Sequence, residues 1–140
     1  MINFGKAIIA LAVSMWAGAL AAVGFLVAPK LFALLPERTL AGNIAGSLFM
    51  DLAWVNFAFC LVLSGCFLFL RPGFFHWVFL AAIALCTALN HFWIRAMIAG
   101  LRASATMDTS FAFWHGLSSI LYLLTFIFVT VLSLKLILHE

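Results

Sequence analysis

Four long stretches of almost unbroken apolar residues organise this chain, and short polar stretches separate them. Each stretch has about 20 residues or more, which as a helix rising about 1.5 Å per residue crosses a hydrocarbon core about 30 Å thick. The pattern predicts an all-α fold, an integral membrane four-helix bundle. It forms one transmembrane domain, 1–140, with antiparallel up-down spans at about 7–28, 51–70, 74–94 and 111–134.

Proline and glycine residues mark the connections between the spans. Pro29 lacks an amide donor and disfavours helix at the residue before it, so the first helix is expected to end at Ala28. The Arg-Pro-Gly turn at 71–73 is so short that spans two and three must be antiparallel neighbours. Residues 39–50 predict an amphipathic helix that leads into span two. Residues 95–110 are expected to form the other sizeable polar connection.

The composition places the chain in the membrane class. Its 140 residues are 68% hydrophobic and 8% charged, whereas an average soluble domain is about 25% charged. A small soluble fold has too little interior to bury so much apolar surface. The seven basic residues form no cluster, so the sequence excludes a nucleic-acid partner and leaves the lipid bilayer as the expected surroundings.

Polar residues cluster at one membrane face of this arrangement. With four antiparallel spans, the end of span one, the start of span two, the end of span three and the start of span four meet there. Residues four or seven apart share a helix face, which gives two polar stripes. Span three carries Thr87, His91, Arg95 and Arg102, and span four carries His115, Ser118, Ser119, Tyr122 and Thr125.

If the two stripes face each other, they form a polar pocket on the side of the connections at 29–50 and 95–110. The candidate pocket residues are Asp51, Asn90, Arg95, Ser118, Ser119 and Tyr122. His91 and His115 are the candidate cofactor-binding residues, since ionisable side chains at membrane depth are costly and usually functional. Each histidine has a structural alternative at a helix end, and each serine has one as a donor to a carbonyl of its own helix.

An ion pair between Asp51 and Arg95 is also expected, and it would tie span two to span three. The reason is that a buried charge without a partner is strongly destabilising. Asp108, in the connection at 95–110, lies towards the same membrane face.

Three functional hypotheses follow. No H-E-x-x-H, nucleophile elbow, phosphate loop or C-x-x-C-H occurs, so no catalytic residue is predicted, and enzymatic activity, cofactor and metal stay open.

The first hypothesis is a non-enzymatic protein whose polar pocket serves binding, transport or assembly of a partner. An alternative is a redox or metal-handling protein with haem or copper held by His91 and His115. Another is an accessory subunit of a larger membrane complex, or a homo-oligomer, with other chains on the small-residue faces Ser14/Gly18/Ala22 and Gly42/Gly46.

Four short motifs carry a resemblance to a known family. They are Trp-Ala-Gly at 16–18, Val-Ala-Pro-Lys-Leu-Phe at 27–32, Ala-Gly-Asn-Ile-Ala-Gly-Ser-Leu-Phe at 41–49, and Phe-Trp-His-Gly-Leu-Ser-Ser at 113–119. In this order they resemble the bacterial domain-of-unknown-function family 4149, the group that also holds the eukaryotic transmembrane protein 205. The chain departs from the family in one respect: members often have a proline near the end of span three, and here no proline follows Pro72.

The resemblance implies a four-span membrane protein, and for a bacterial member a multi-pass protein of the inner (cytoplasmic) membrane. It implies that Pro29, Gly42, Gly46, His115 and Ser119 belong to the family pattern. It brings no established reaction or substrate, so it assigns no catalytic residue.

Overall fold

The computed structural model describes residues 2–103 and 109–138, and every element in them is helical. The order is α1 (Ile2–Ala21), a first π-helical segment (Ala22–Val27), α2 (Ala28–Leu34), α3 (Arg38–Leu70), α4 (Phe74–Ala88), a second π-helical segment (Leu89–Ile94), α5 (Arg95–Ala103) and α6 (Thr109–Leu138). They make four helices long and apolar enough to cross a membrane: Phe4–Leu34, Arg38–Leu70, Phe74–Arg102 and Ser110–Leu138. The chain is therefore a multi-pass membrane protein with the predicted all-α four-helix bundle.

The first span does not end before Pro29, as the sequence predicted, but runs on to Leu34. The chain changes to π-helical hydrogen bonding just ahead of the proline, and the Ala28 amide donates to the carbonyl of Val23, five residues back. Pro29 then stands in the first turn of α2. There its missing amide hydrogen does not interrupt the helix.

The third span also runs further than predicted, through the second π-helical segment and α5 to Ala103. Most of the expected polar connection at 95–110 is therefore helix, and its Asp108 lies outside the described residues. The interpretation of residues 39–50 is correct, because they open the 33-residue helix α3, which continues through span two without a break. At about 1.5 Å per residue, α3 is about 50 Å long, so its first turns extend beyond a hydrocarbon core about 30 Å thick.

The hydrophobic core occupies one end of the bundle. α4 packs against α3 and α6, and α1 packs against α6. Its buried members lie in the middle of α1, the last part of α3, the first part of α4 and the last part of α6: Val13, Trp16, Leu20, Cys60, Leu63, Phe67, Leu80, Ile83, Val129 and Leu132. The tight turn at 71–73 joins α3 to α4 on this side of the bundle. The opposite end, where the polar stripes lie, is left without a comparable apolar core.

Candidate functional site

An interhelical cavity of about 730 Å³ lies at the polar end of the bundle. All four spans contribute to its walls, which combine apolar residues with two arginines, two histidines and several hydroxyl and amide groups. The polar members are Asn56, Thr87, Asn90, His91, Arg95, Arg102, His115, Ser118, Ser119, Tyr122 and Thr125. Both predicted stripes therefore line one space between the helices.

Asp51 is the one predicted pocket residue that the structure places elsewhere. It is exposed and does not line the cavity. The buried face of α3 at this depth contains Ala53 and Asn56, and at about 100° per residue Asp51 lies about 200° away from Ala53. Within the described residues it forms no ion pair with Arg95, so the expected link between spans two and three is wrong.

A buried hydrogen-bond chain closes the inner end of the cavity. Trp16 Nε1 donates to Asn56 Oδ1 at 2.7 Å, and Asn56 Nδ2 donates to Thr87 Oγ1 at 3.2 Å. All three side chains are less than 5% exposed, and the Trp16 indole stacks on Phe59 at 4.7 Å. The chain satisfies three polar groups inside the membrane and joins spans one, two and three. Sequence reasoning did not connect Trp16 with Asn56, because no spacing relates residues on different helices.

A reciprocal pair of hydrogen bonds joins spans three and four. Asn90 Nδ2 donates to the Ser118 carbonyl at 3.2 Å, and Ser118 Oγ donates to Asn90 Oδ1 at 2.7 Å. Ser119 behaves differently, donating to the His115 carbonyl of its own helix at 3.0 Å. The structural alternative is therefore correct for Ser119, while Ser118 fixes the two stripes against each other.

Tyr122 closes the cavity against the first span. Its hydroxyl donates to the Leu20 carbonyl at 2.6 Å, and its ring meets Phe49 edge to face at 4.9 Å. A Cβ built on Gly24 would lie 2.6 Å from Tyr122 Cε1, closer than real Cβ atoms approach. Gly24, in the first π-helical segment, is therefore part of the site, although the sequence pattern did not single it out.

Gly42 and Gly46, which the accessory-subunit hypothesis places against another chain, make room for the cavity's own arginines. A Cβ on Gly42 would lie 3.4 Å from Arg102 Nη2, and one on Gly46 would lie 3.8 Å from Arg95 Nη2. Arg102 is held further, because its Nη1 donates to Asn43 Oδ1 at 3.2 Å. The α3 glycine face thus contacts guanidinium groups of the same chain.

The cavity concentrates positive charge. Arg95 and Arg102 lie close enough for their two positive charges to repel each other. The acidic residues in the described part of the chain are Glu37 and Asp51; both are exposed, and neither lines the cavity. Within those residues the Arg95 guanidinium has no ion pair and no hydrogen bond. A half-buried guanidinium is stabilised by an anion, and the described residues supply none to Arg95.

The two histidines both line the cavity but have different neighbours. The His91 ring meets Trp54 at 5.4 Å and Phe92 at 4.8 Å, and its Nδ1 atom is buried without a hydrogen-bond partner. The His115 ring stacks on Phe111 at 6.0 Å. In residues 2–103 and 109–138, no group of three His, Cys, Asp or Glu side chains could hold a metal ion. Haem or copper on His91 and His115 stays a prediction.

No curated protein and no solved structure matches the chain at a significant level, so the likeness to transmembrane protein 205 stays an expectation. A family model does match, over residues 11–107, which is more than half of the chain. The matched range includes the motifs at 16–18, 27–32 and 41–49, and it ends before the motif at 113–119. The chain belongs to the family described as Domain of unknown function (DUF4149).

Proposed function

We propose that this membrane protein binds a small molecule in the interhelical cavity. The observation that carries the proposal is the cavity itself. Its volume of about 730 Å³ lies within the range of about 300–1,000 Å³ typical of ligand pockets. Its walls bring polar groups from separate helices to one space between them, as ligand sites in helix bundles do.

The surroundings of the cavity favour a ligand that arrives from the bilayer. Phe25, Phe32 and Leu123 line the cavity and are 53%, 47% and 43% exposed. These three side chains form an apolar rim at the cavity. An apolar rim of this kind gives a lipid-soluble molecule a path into the cavity between the helices.

The hydrogen bonds of the wall favour binding over covalent catalysis. Nucleophilic catalysis by serine needs a base within hydrogen-bond reach of its hydroxyl. Ser118 donates to the Asn90 side chain, and Ser119 donates to a backbone carbonyl. These bonds position the wall, and among the described residues neither hydroxyl donates to a basic group, which supports a binding or transport role.

A matched pair of substitutions on α3 tests the proposal. Gly46 lines the cavity, whereas Gly65 on the same helix does not, and a Cβ there would meet nothing within 4 Å. Gly46→Leu would partly fill the cavity, and Gly65→Leu would add the same side chain outside it. We expect native mass spectra from mild detergent to show a co-purified small molecule on wild type and Gly65→Leu, and to show it lost from Gly46→Leu.

Equal retention in all three proteins would contradict the proposal, because the molecule would then be bound outside the cavity. The same spectra would register haem or a copper ion. A stoichiometric haem or copper that disappears in His91→Ala and His115→Ala would favour the redox or metal-handling alternative.

A further inference from the structure

We infer that the cavity takes an anionic amphiphile. Its carboxylate or phosphate headgroup would be held by Arg95 and Arg102, and its hydrocarbon chain would lie along the apolar rim. This inference rests on the proposed function and adds the chemical class of the ligand.

The two arginines are arranged to receive one acidic headgroup. Arg102 lies over Gly42 and Arg95 over Gly46, with a guanidinium nitrogen 3.4 and 3.8 Å, respectively, from where a Cβ of each glycine would stand. Gly42 and Gly46 are one helical turn apart, which is about 6 Å along α3. The two guanidinium groups are near enough for their charges to interact, and planar donor forks of this kind match the oxygens of a carboxylate or phosphate placed between them.

One of the two guanidinium groups already has fixed neighbours, and the other does not. Arg102 donates to Asn43 and lies 5.7 Å from the centroid of the Phe111 ring. The Arg95 guanidinium is half-buried and, among the described residues, has neither a hydrogen bond nor an ion pair. The charge that acts on it is that of Arg102, another cation. An anion in the cavity would relieve this repulsion and supply the missing partner.

The apolar rim favours an anion that carries a hydrocarbon chain over a free ion. Phe25, Phe32 and Leu123 line the cavity and keep roughly half of their apolar surface accessible to a ligand. A free phosphate ion would use the arginines but gain nothing from this rim, whereas an acyl chain would bury apolar surface against it. The two parts of the cavity together therefore match a charged head joined to a chain.

A headgroup series on the wild-type protein tests the inference without any substitution. Dodecyl phosphate, dodecanoate, dodecylphosphocholine, dodecyltrimethylammonium and inorganic phosphate would each be titrated into protein held in the uncharged detergent dodecyl maltoside, with occupancy read by native mass spectrometry. We expect dodecyl phosphate and dodecanoate to bind about tenfold or more tightly than the cationic analogue and than inorganic phosphate, since each hydrogen bond to a charged group adds an appreciable part of the affinity.

Substitutions at the arginines then locate the headgroup. Arg95→Gln should weaken dodecyl phosphate binding about tenfold or more, and Arg95→Lys, which keeps the charge, should lose less. Arg38→Gln is the matched control, because Arg38 is exposed at the start of α3 and does not line the cavity. It should leave the affinity unchanged.

Several results would overturn the inference. Equal affinity for the anionic and cationic amphiphiles would contradict the assignment of an acidic headgroup. Equal affinity for inorganic phosphate and dodecyl phosphate would show that the hydrocarbon chain of the ligand adds nothing to binding. If dodecyl phosphate binds the wild-type protein weakly and Asp108→Asn raises its affinity about tenfold, the Asp108 carboxylate itself would be the anion bound by the arginines. Binding without headgroup preference, but abolished by Gly46→Leu, would leave the proposed function standing. Binding of every probe unchanged by Gly46→Leu would reject both.

Discussion

Tyr122 lies so close to Gly24 that a Cβ at position 24 would come within 2.6 Å of its ring carbon Cε1. The contact lets the Tyr122 hydroxyl reach the Leu20 carbonyl at 2.6 Å and so joins the first and fourth spans beside the cavity. An added methyl group would force the ring away and break this hydrogen bond.

Gly24→Ala should therefore destabilise the protein by about 1–3 kcal/mol, the usual effect of overpacking. The measurement is unfolding followed by circular dichroism in mild detergent. Gly18→Ala is the control in the same span, since nothing lies within 4 Å of a Cβ there. It should be neutral or stabilising by up to about 1 kcal/mol, because alanine favours helix. Equal losses at both positions would show that the Tyr122 contact is not the cause.

Thr87→Val should lower the stability by about 1–3 kcal/mol, because it removes the acceptor of the buried Asn56 amide and leaves that donor unsatisfied. Thr130→Val makes the same change at a hydroxyl that donates to the carbonyl of Phe126 in its own helix, at 2.8 Å. We expect little change there. Denaturant unfolding measures the free energy of unfolding of both variants. Similar losses in the two would show that the Asn56–Thr87 hydrogen bond between helices does not add to stability.

Asn90 and Ser118 should show coupled losses in a double-mutant cycle. Asn90→Ala breaks both hydrogen bonds of the pair, whereas Ser118→Ala breaks only the one between the side chains, because the other ends on the Ser118 backbone carbonyl. The two substitutions share that side-chain bond, so the double variant should lose less than the sum by about 1 kcal/mol. Ser119→Ala with Asn90→Ala is the comparison cycle, because Ser119 bonds only within α6. Additive losses in both cycles would contradict a link between spans three and four.

Asp51→Asn should change the stability by no more than about 0.5 kcal/mol, as expected of an exposed side chain without a specific partner. Combined with Arg95→Gln, its effect should add within about 0.5 kcal/mol. The measurement is the same unfolding experiment in mild detergent. A strong coupling between the two substitutions would restore the ion pair expected from the sequence.

The spans and the two polar stripes could be predicted because they depend on repeats along one helix. Apolar stretches of sufficient length give the spans, and spacings of four and seven place His91 with Arg95 and His115 with Tyr122 on common faces. Both stripes reach the cavity. Their use as a binding site is still a prediction.

Contacts between helices could not be predicted in the same way. The partner of Trp16 is 40 residues away, and nothing in the spacing points to Asn56. The small-residue pattern at Gly42 and Gly46 indicates a close approach but not which group approaches. The structure places guanidinium groups there, where the sequence suggested another chain. Asp51 was predicted to line the pocket because it is a charged residue at the start of span two. It lies instead on the exposed face of α3.

The two π-helical segments make the first and third spans tolerant of losing one residue at a defined place. Each segment contains one residue more than an α-helix of the same rise would hold. Deleting a single residue within 22–27 or 89–94 would therefore let the helix return to regular α geometry while the part beyond the deletion kept its facing. In α2 or α5, by contrast, deleting one residue ahead of Phe32 or Arg102 would turn that side chain by about 100° around the helix axis and away from the cavity.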